Sequence, residues 1–154
     1  MKKESHFIAG YKVLEEQGLI VELRSGLVRI DCLLAYTKVR TESKNYANDL
    51  DIIVDISEMD FDFIISEMEE YASHFVKFSK MTENNKKIAI IAATPNQLAY
   101  SNVMSKMLSK NANVNFFPDL ASSCIWLNKS LDIEIIKEAK EEIRKNSQYK
   151  CSKD

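Results

Sequence analysis

The sequence predicts an α/β protein with a mixed sheet of about five strands, flanked by helices. Two short runs of β-forming residues flank a glycine near the start of the chain, which is typical of an antiparallel hairpin. Apolar runs rich in β-branched residues then alternate with longer amphipathic patterns. Strands that alternate with helices pair in parallel through right-handed crossovers. We therefore expect an N-terminal hairpin followed by parallel β-α-β units.

Length and composition are those of one globular domain. The chain has 154 residues, of which 45% are hydrophobic and 29% charged, and a chain of this length buries enough surface for a full core. Only three glycines and two prolines occur, so no linker divides the chain. We expect a single domain over residues 10–145, a mobile N-terminus over residues 1–9 and a frayed tail over residues 146–154.

The net charge, the cysteines and the first residues of the chain indicate which partners and which cellular compartment to expect. The 21 basic and 23 acidic residues give a net charge of −2, which supplies none of the positive field that nucleic-acid binding requires. No long apolar stretch follows the first residues, so we expect neither a signal peptide nor a membrane span. Cys32, Cys124 and Cys151 form no CxxC pair, which favours reduced thiols, two in the core and one on the tail. A cytoplasmic protein is expected.

The first half of the chain contains the hairpin, a helix and a buried strand. The runs 11–15 and 19–23 flank Gln17-Gly18, where glycine tolerates the positive φ of a tight turn. The apolar spacing favours a helix from about Ile30 to Ser43, although residues 27–30 also fit a further strand, and residues 27–33 stay open between the two. The run DIIVDI (51–56) has the pattern of a strand covered on both faces.

A long amphipathic helix is predicted from Asp60, which we expect to cap it. Apolar residues recur at spacings of three and four, and polar residues occupy the opposite face. The apolar stripe consists of Ile64, Met68, Tyr71 or Ala72, Phe75 and Phe78, and the polar face of Glu67, Glu70, Ser73 and Lys77.

The second half contains two more strands and three helices. The run KIAIIAA (87–93) predicts a buried strand, and Thr94-Pro95-Asn96-Gln97 directly after it has the pattern of a capping box. The helix that this box begins extends to about Lys110. A short strand from Asn113 to Phe117 then ends at Pro118, and Asp119 begins another helix. A last amphipathic helix runs from about Leu131 to Lys145, and its charged face is interpreted as solvated.

No sequence motif for catalysis accompanies the ends of the predicted parallel strands, where α/β sheets bind their ligands. GxGxxG, P-loop and GxSxG patterns are absent from the sequence. Asp55 and Thr94 are placed like the phospho-acceptor and switch hydroxyl of a response-regulator receiver. The acidic pair that holds Mg²⁺ in a receiver is missing, and Phe117 precedes Pro118 where a receiver has Lys. We therefore expect no enzyme, no metal and no cofactor.

Three stretches resemble the STAS domain, specifically the SpoIIAA-like branch of small bacterial single-domain proteins. The run from Asp51 to Phe61 resembles the STAS strand that ends in Asp-Leu-Ser and is followed by an apolar-x-Phe. The runs Lys87–Pro95 and Val114–Asp119, with Cys124-Ile-Trp-Leu127, are similar to the closing strands and the Trp-Leu helix end of this branch. The likeness covers roughly residues 10–128.

This resemblance implies a non-catalytic regulatory module that docks a protein partner. In the anti-sigma-factor antagonists of the family, a serine in an Asp-Ser-Ser-Gly turn is phosphorylated. The corresponding residues here are Asp62-Phe-Ile-Ile65, so the serine phospho-switch is expected to be absent, and Ser57 and Ser66 are poor substitutes. A fold-level link to CRAL-TRIO domains implies an alternative function, a carrier or sensor of a small apolar, lipid-like ligand. Its cavity would be lined by Phe61, Phe63, Met68, Tyr100, Met104 and Met107.

A rim of strand ends and helix N-termini is the predicted binding surface. Free N–H groups and the positive end of the helix dipole favour an anion or an acidic partner segment at such a rim. An alternative is that Thr94 and Asp119 only cap their helices, and a homodimer contact through the last helix also fits the pattern. The residues of the predicted rim are Ser57, Glu58, Thr94, Asn96 and Asp119.

Overall fold

A six-stranded mixed sheet forms the centre of the protein in the computed structural model, which describes residues 5–46, 49–64, 66–68, 86–108, 112–128 and 130–153. The strands are β1 (Ser5–Leu14), β2 (Leu19–Val28), β3 (Asp51–Phe61), β4 (Lys86–Ile91), β5 (Ala112–Phe117) and β6 (Tyr149–Lys153). The helices whose first and last residues both lie in the described ranges are α1 (Ile30–Glu42), α2 (Pro95–Leu108), α3 (Leu120–Leu127) and α4 (Ile133–Lys145).

The sheet combines an antiparallel and a parallel part, as the sequence predicts. Its strand order is β5-β4-β3-β2-β1-β6. Strands β2 to β5 are parallel to one another, whereas β1 is antiparallel to both β2 and β6. The two apolar runs in the middle of the chain lie side by side, with Ile52 opposite Ile88 and Ile53 opposite Ala89. The predicted fold class is confirmed, with one strand more than expected.

The turn between β1 and β2 uses Gly18 at a positive φ, as the sequence predicts. Residues Glu15–Gln17 form one turn of 3-10 helix, and Gly18 ends it with a φ of 63°, which is favourable for glycine because it has no Cβ. Both hairpin strands are longer than predicted. The open alternative over residues 27–33 is resolved, because β2 ends at Val28 and α1 begins at Ile30.

Each face of the sheet carries a hydrophobic core. The first core lies between the sheet and helices α1 and α2, which contribute Leu33, Tyr36, Tyr100 and Met104. The second core lies between the sheet and helices α3 and α4 and contains the alternate residues of the same strands, such as Leu23 and Ile53. Period-two alternation in the strands thus separates two apolar layers.

A bulge divides β3 into two halves. Leu23 pairs with Asp55 and Ser25 with Glu58, so β3 has one residue more than β2 between these pairs. The extra residue shifts the alternation by one position, which turns Glu58 outward and keeps the apolar positions inside. The β3 residues that face the first core are Ile52, Val54, Ile56, Met59 and Phe61. The predicted strand ended at the bulge because the alternation changes phase there.

The helix predicted from Asp60 begins later than expected. Asp60 lies in β3 and does not cap a helix. Residues 66–68 are helical, and Met68 is fully buried. The remaining positions of the predicted stripe and polar face, from Glu70 to Phe78, lie outside the described residues.

Both chain ends are more ordered than expected. Residues 5–9 belong to β1, so the predicted mobile N-terminus is wrong for them, and the predicted frayed tail is wrong for residues 149–153, which form β6. These two segments pair with each other, from Ser5 opposite Lys153 to Ala9 opposite Tyr149. The cysteine prediction is wrong for one pair, because Cys32 and Cys151 form a disulfide.

Candidate functional site

An open pocket of about 500 Å³ lies at the carboxyl ends of β3 and β4, beside the N-terminus of α2. It contains four of the five residues of the predicted rim, namely Ser57, Glu58, Thr94 and Asn96. Asp119 is not part of its lining. The other lining residues are Met59, Asp60, Pro95 and Gln97.

The capping box at the start of α2 shapes one wall of the pocket. The backbone N–H of Gln97 donates to Thr94 Oγ1 at 3.2 Å. In return, Gln97 Oε1 accepts from the backbone N–H groups of Ala93 at 2.8 Å and Thr94 at 3.1 Å. The predicted capping box is therefore present, with one additional donor.

Gln97 also ties α2 to the far half of β3. Its Nε2 donates to the backbone carbonyls of Ser57 at 3.1 Å and Met59 at 2.9 Å. Gln97 is 2% exposed, so these hydrogen bonds are shielded from water. If one of them were lost, a buried polar group would be left without a partner. Gln97 thereby fixes the main chain of the bulge against the helix N-terminus.

Helix α4 holds the same segment of β3 from the other face of the sheet. Lys140 Nζ lies 2.5 Å from Asp55 Oδ2, and Asp55 is 2% exposed. Asp55 Oδ1 accepts hydrogen bonds from the backbone N–H of Ser57 at 2.9 Å and from its hydroxyl at 2.6 Å. Arg144 Nη2 lies 2.7 Å from Glu58 Oε1. The interpretation of the α4 charges as solvated is wrong for Lys140 and Arg144.

The charges of the pocket lining are negative. Glu58 and Asp60 are exposed carboxylates, and the eight lining residues include no basic side chain. The backbone N–H groups of Ala93, Thr94 and Gln97 already donate within the capping box, and Pro95 has none. The end of α2 therefore offers few donors to an anion.

Asp119 caps α3 away from the pocket lining. Its Oδ1 accepts from the backbone N–H of Ser122 at 2.7 Å. Hydrogen bonds from Ser122 lower the pKa of Asp119 below its usual value. Both Thr94 and Asp119 thus have the capping role that the sequence offered as the alternative, and their role toward a ligand stays a prediction.

The side chains predicted to line an apolar cavity pack against one another. The ring centroid of Phe61 lies 5.4 Å from the ring centroid of Phe63 and 5.3 Å from that of Tyr100. Met68, Tyr100 and Met104 are buried in the first core, and Phe61, Phe63 and Met107 pack against it. These contacts are those of an ordinary hydrophobic core.

A buried charged cluster was not predicted from the sequence. Glu22 has no exposed surface and lies 2.7 Å from Arg24 Nη2 and 3.1 Å from Arg40 Nη1. Arg24 Nη1 also donates to Tyr100 Oη at 2.8 Å, and both guanidinium groups lie over the ring of Tyr36 at 5.6 and 5.9 Å. Burial by itself raises the pKa of Glu22, but Arg40 and Arg24 outweigh burial and the pKa lies below its usual value.

Part of this cluster could have been predicted from the spacing of charged residues in β2. Glu22 and Arg24 are two residues apart in an otherwise apolar strand, so their side chains share one face. Opposite charges on the buried face of a strand indicate an internal ion pair. Arg40 comes from α1, and nothing local in the sequence indicates that it completes the cluster.

In the described ranges, no three His, Cys, Asp or Glu side chains are grouped in a way that would hold a metal ion. None of the helices in this part of the chain is both long enough and apolar enough to cross a membrane.

A solved structure with a similar fold is known. The chain is similar to an uncharacterized protein of the DUF3478 family with a SpoIIAA-like fold, from Shewanella loihica PV-4, with a TM-score of 0.53 and 15% sequence identity. The similarity covers 82% of this chain and 98% of that chain. No family model and no curated protein matches the sequence. The chain thus has a SpoIIAA-like fold, and its resemblance to STAS-like domains is confirmed at the level of the fold.

Proposed function

We propose that this chain is a non-enzymatic, cytoplasmic binding module of STAS-like type that docks a protein partner at the pocket between β3 and α2. The observation that carries the proposal is the open pocket, lined by both polar and apolar groups, whose walls are joined by the hydrogen bonds of Gln97 to β3. A rigid concave surface with a few fixed polar groups suits recognition of a partner segment.

The lining favours a partner segment that carries a positive charge. Glu58 and Asp60 place two carboxylates at the rim. Arg144 pairs with Glu58 and neutralises part of its charge. The capping box occupies most of the donors that an acidic segment would need. A lysine or arginine side chain of the partner is therefore the complementary group.

The environment of Ser57 supports docking without a serine phospho-switch. The Ser57 hydroxyl donates to the buried carboxylate of Asp55 at 2.6 Å. A phosphoryl group on this oxygen would place like charges against each other in a desolvated site. The packed rings of Phe61, Phe63 and Tyr100 likewise favour partner docking over the alternative of an apolar ligand carrier.

Peptide titrations followed by NMR test the sign of the proposed charge. We expect an acetylated, amidated trilysine peptide to shift the amide signals of residues 57–60 and of Thr94, Asn96 and Gln97, and a triglutamate peptide to leave them unchanged. The double variant Glu58→Gln/Asp60→Asn should lose the response. The matched control Glu15→Gln/Glu16→Gln, in the turn at the opposite end of the sheet, should keep it. Preferential shifts with triglutamate would show that an acidic segment is the partner.

Photo-crosslinking in the native host tests whether a protein occupies the pocket. A photoreactive amino acid at the exposed position Asn96 should give one discrete adduct, and the same group at Glu16 should not. The purified adduct partner should bind the wild type and lose affinity for the Glu58→Gln/Asp60→Asn variant. Identical adducts from both positions, or unchanged affinity for the variant, would contradict the docking proposal.

A further inference from the structure

The disulfide between Cys32 and Cys151 joins the first turn of helix α1 to the C-terminal strand β6. The two Cα atoms are 6.0 Å apart, and the cysteines are 119 residues apart in the sequence. Both side chains are buried, with 1% and 7% of their surface exposed. Cys124, the third cysteine, is buried in the second core and is not disulfide-bonded.

Strand β6 is a short element at the edge of the sheet. It has five residues and, among the described strands, it pairs with β1, over Ser5–Ala9. Its apolar contacts come from Tyr149 and Cys151, and the Tyr149 ring lies 6.2 Å from Phe7 and 6.0 Å from Tyr36. A short strand at the edge of a sheet is bonded to one neighbour, so it can open locally while the central strands stay folded.

The segment before β6 is held independently of the disulfide. Gln148 Oε1 accepts from the backbone N–H of Tyr11 at 2.9 Å, and Gln148 Nε2 donates to the Tyr11 carbonyl at 2.7 Å. Gly10 permits this approach, because a Cβ there would lie 2.3 Å from Gln148 Oε1. Gln148 thus fixes the chain after α4 and defines the point from which β6 would detach.

We propose that the Cys32–Cys151 disulfide is a redox latch that controls whether β6 covers the outer edge of β1. With the bond closed, the tether to α1 keeps β6 paired. With the bond open, β6 detaches beyond Gln148 and uncovers the backbone of residues 5–9 together with Phe7 and Tyr36. This inference is independent of the pocket and of its proposed partner.

Opening requires a dithiol reductant and proceeds by thiol–disulfide exchange. A thiolate of the reductant attacks the sulfur of Cys151, which is the more exposed of the pair. A bond between the reductant and Cys151 forms, the Cys32–Cys151 bond breaks, and Cys32 leaves as a thiolate that takes up a proton. The second thiolate of the reductant then displaces Cys151, which also takes up a proton. The disulfide gains two electrons and two protons, and the dithiol becomes a disulfide.

Amide hydrogen exchange on the full chain, oxidised and then reduced with dithiothreitol, tests the latch. We expect exchange in residues 149–153 to accelerate on the order of tenfold or more on reduction, with faster exchange also in residues 5–9. Residues 52–55 and 88–91 in the central strands should not change. Reoxidation should restore the slow exchange.

Two variants test whether the change in exchange depends on the Cys32–Cys151 bond or on reduction of the protein in general. Cys151→Ser should exchange rapidly in residues 149–153 under both conditions. Cys124→Ser, which lies outside the pair, should respond to reduction as the wild type does. In the reduced wild type, iodoacetamide should modify Cys151 before Cys32 and Cys124.

Three results would overturn the inference. One is a change of less than about twofold in the exchange of residues 149–153 on reduction. Another is loss of protection in the central strands at the same time, since the bond would then be a staple of the whole fold. The third is failure of the reduced wild type to form a Cys32–Cys151 crosslinked peptide again when it is reoxidised.

Discussion

Lys86 at the start of β4 is a cation inside the first core. It is 5% exposed, and its Nζ lies 5.9 Å from the ring of Tyr46. Burial lowers the pKa of Lys86, and Arg40 lowers it further, whereas Glu22, Asp49 and Asp51 raise it, with a result of about 8. The protonated form is therefore less favourable in the folded protein than in the unfolded chain.

The free energy of unfolding should rise from about pH 8 to about pH 9, above which the buried Cys124 thiol, whose pKa is raised by burial, begins to oppose the rise. In this range the unfolded chain, with the usual lysine pKa of 10.5, binds more protons at Lys86 than the folded protein does. Above pH 10 the trend should reverse, because burial raises the pKa values of Tyr36 and Tyr46 and their unfolded forms lose protons first. Urea unfolding at a series of pH values measures both limbs.

Lys87, the next residue, is the matched control for Lys86. Its side chain faces the second core, where Nζ donates to the Trp126 carbonyl at 3.2 Å. Lys86→Met should abolish the rise above pH 8 and increase stability at neutral pH, and Lys87→Met should retain the rise. A flat profile for the wild type would contradict the buried-cation account.

Gln97 connects the N-terminal end of helix α2 to strand β3. Its side chain makes four hydrogen bonds, two as acceptor within the capping box and two as donor to β3. Gln97→Ala should lower the free energy of unfolding by about 2–4 kcal/mol, since buried backbone groups lose their partners. Urea denaturation gives this value directly.

Two substitutions separate the halves of the Gln97 network. Gln97→Glu keeps the acceptor for Ala93 and Thr94 but places a buried carboxylate oxygen against the carbonyls of Ser57 and Met59, so at neutral pH we expect a loss at least as large as that of Gln97→Ala. Thr94→Ala removes only the cap and should cost about 1 kcal/mol. Equal losses for Gln97→Ala and Thr94→Ala would show that the bonds to β3 contribute nothing to stability.

The elements that the sequence predicts correctly are those encoded over a few neighbouring residues. The capping box depends on Thr94 and Gln97, three positions apart, and the turn depends on Gly18 alone. Strand β6 was missed because its two apolar residues, Tyr149 and Cys151, are too few for a pattern, and its partner lies at the other end of the chain. The far half of β3 was missed because the bulge interrupts its alternation.

The candidate site shows the same division between local and distant information. Sequence reasoning brought Ser57, Glu58, Thr94 and Asn96 together, because the carboxyl ends of parallel strands meet at one edge. It did not identify Lys140 and Arg144, because a charged helix face gives no indication of which of its residues meet the carboxylates of β3. Such pairings depend on how α4 packs across the sheet.

Lys140 joins helix α4 to strand β3 in the middle of the sheet. Asp55 is 2% exposed, and removal of its cation would leave a buried charge without its ion-pair partner. Lys140→Met should therefore lower the free energy of unfolding by about 3 kcal/mol. Lys137→Met is the control: its side chain is 60% exposed and pairs with Glu134 on the helix surface, so a change below about 0.5 kcal/mol is expected. Equal losses for the two variants would contradict this distinction.

The bond between Cys32 and Cys151 also gives the oxidised molecule an unusual connectivity. It closes residues 32–151 into a covalent ring, with the hairpin of β1 and β2 and the last residues of β6 outside it. A protease that cleaves one peptide bond inside the ring, for example between α1 and β3, opens the ring without separating the pieces. A second cleavage, or a reductant, is needed before any fragment can diffuse away.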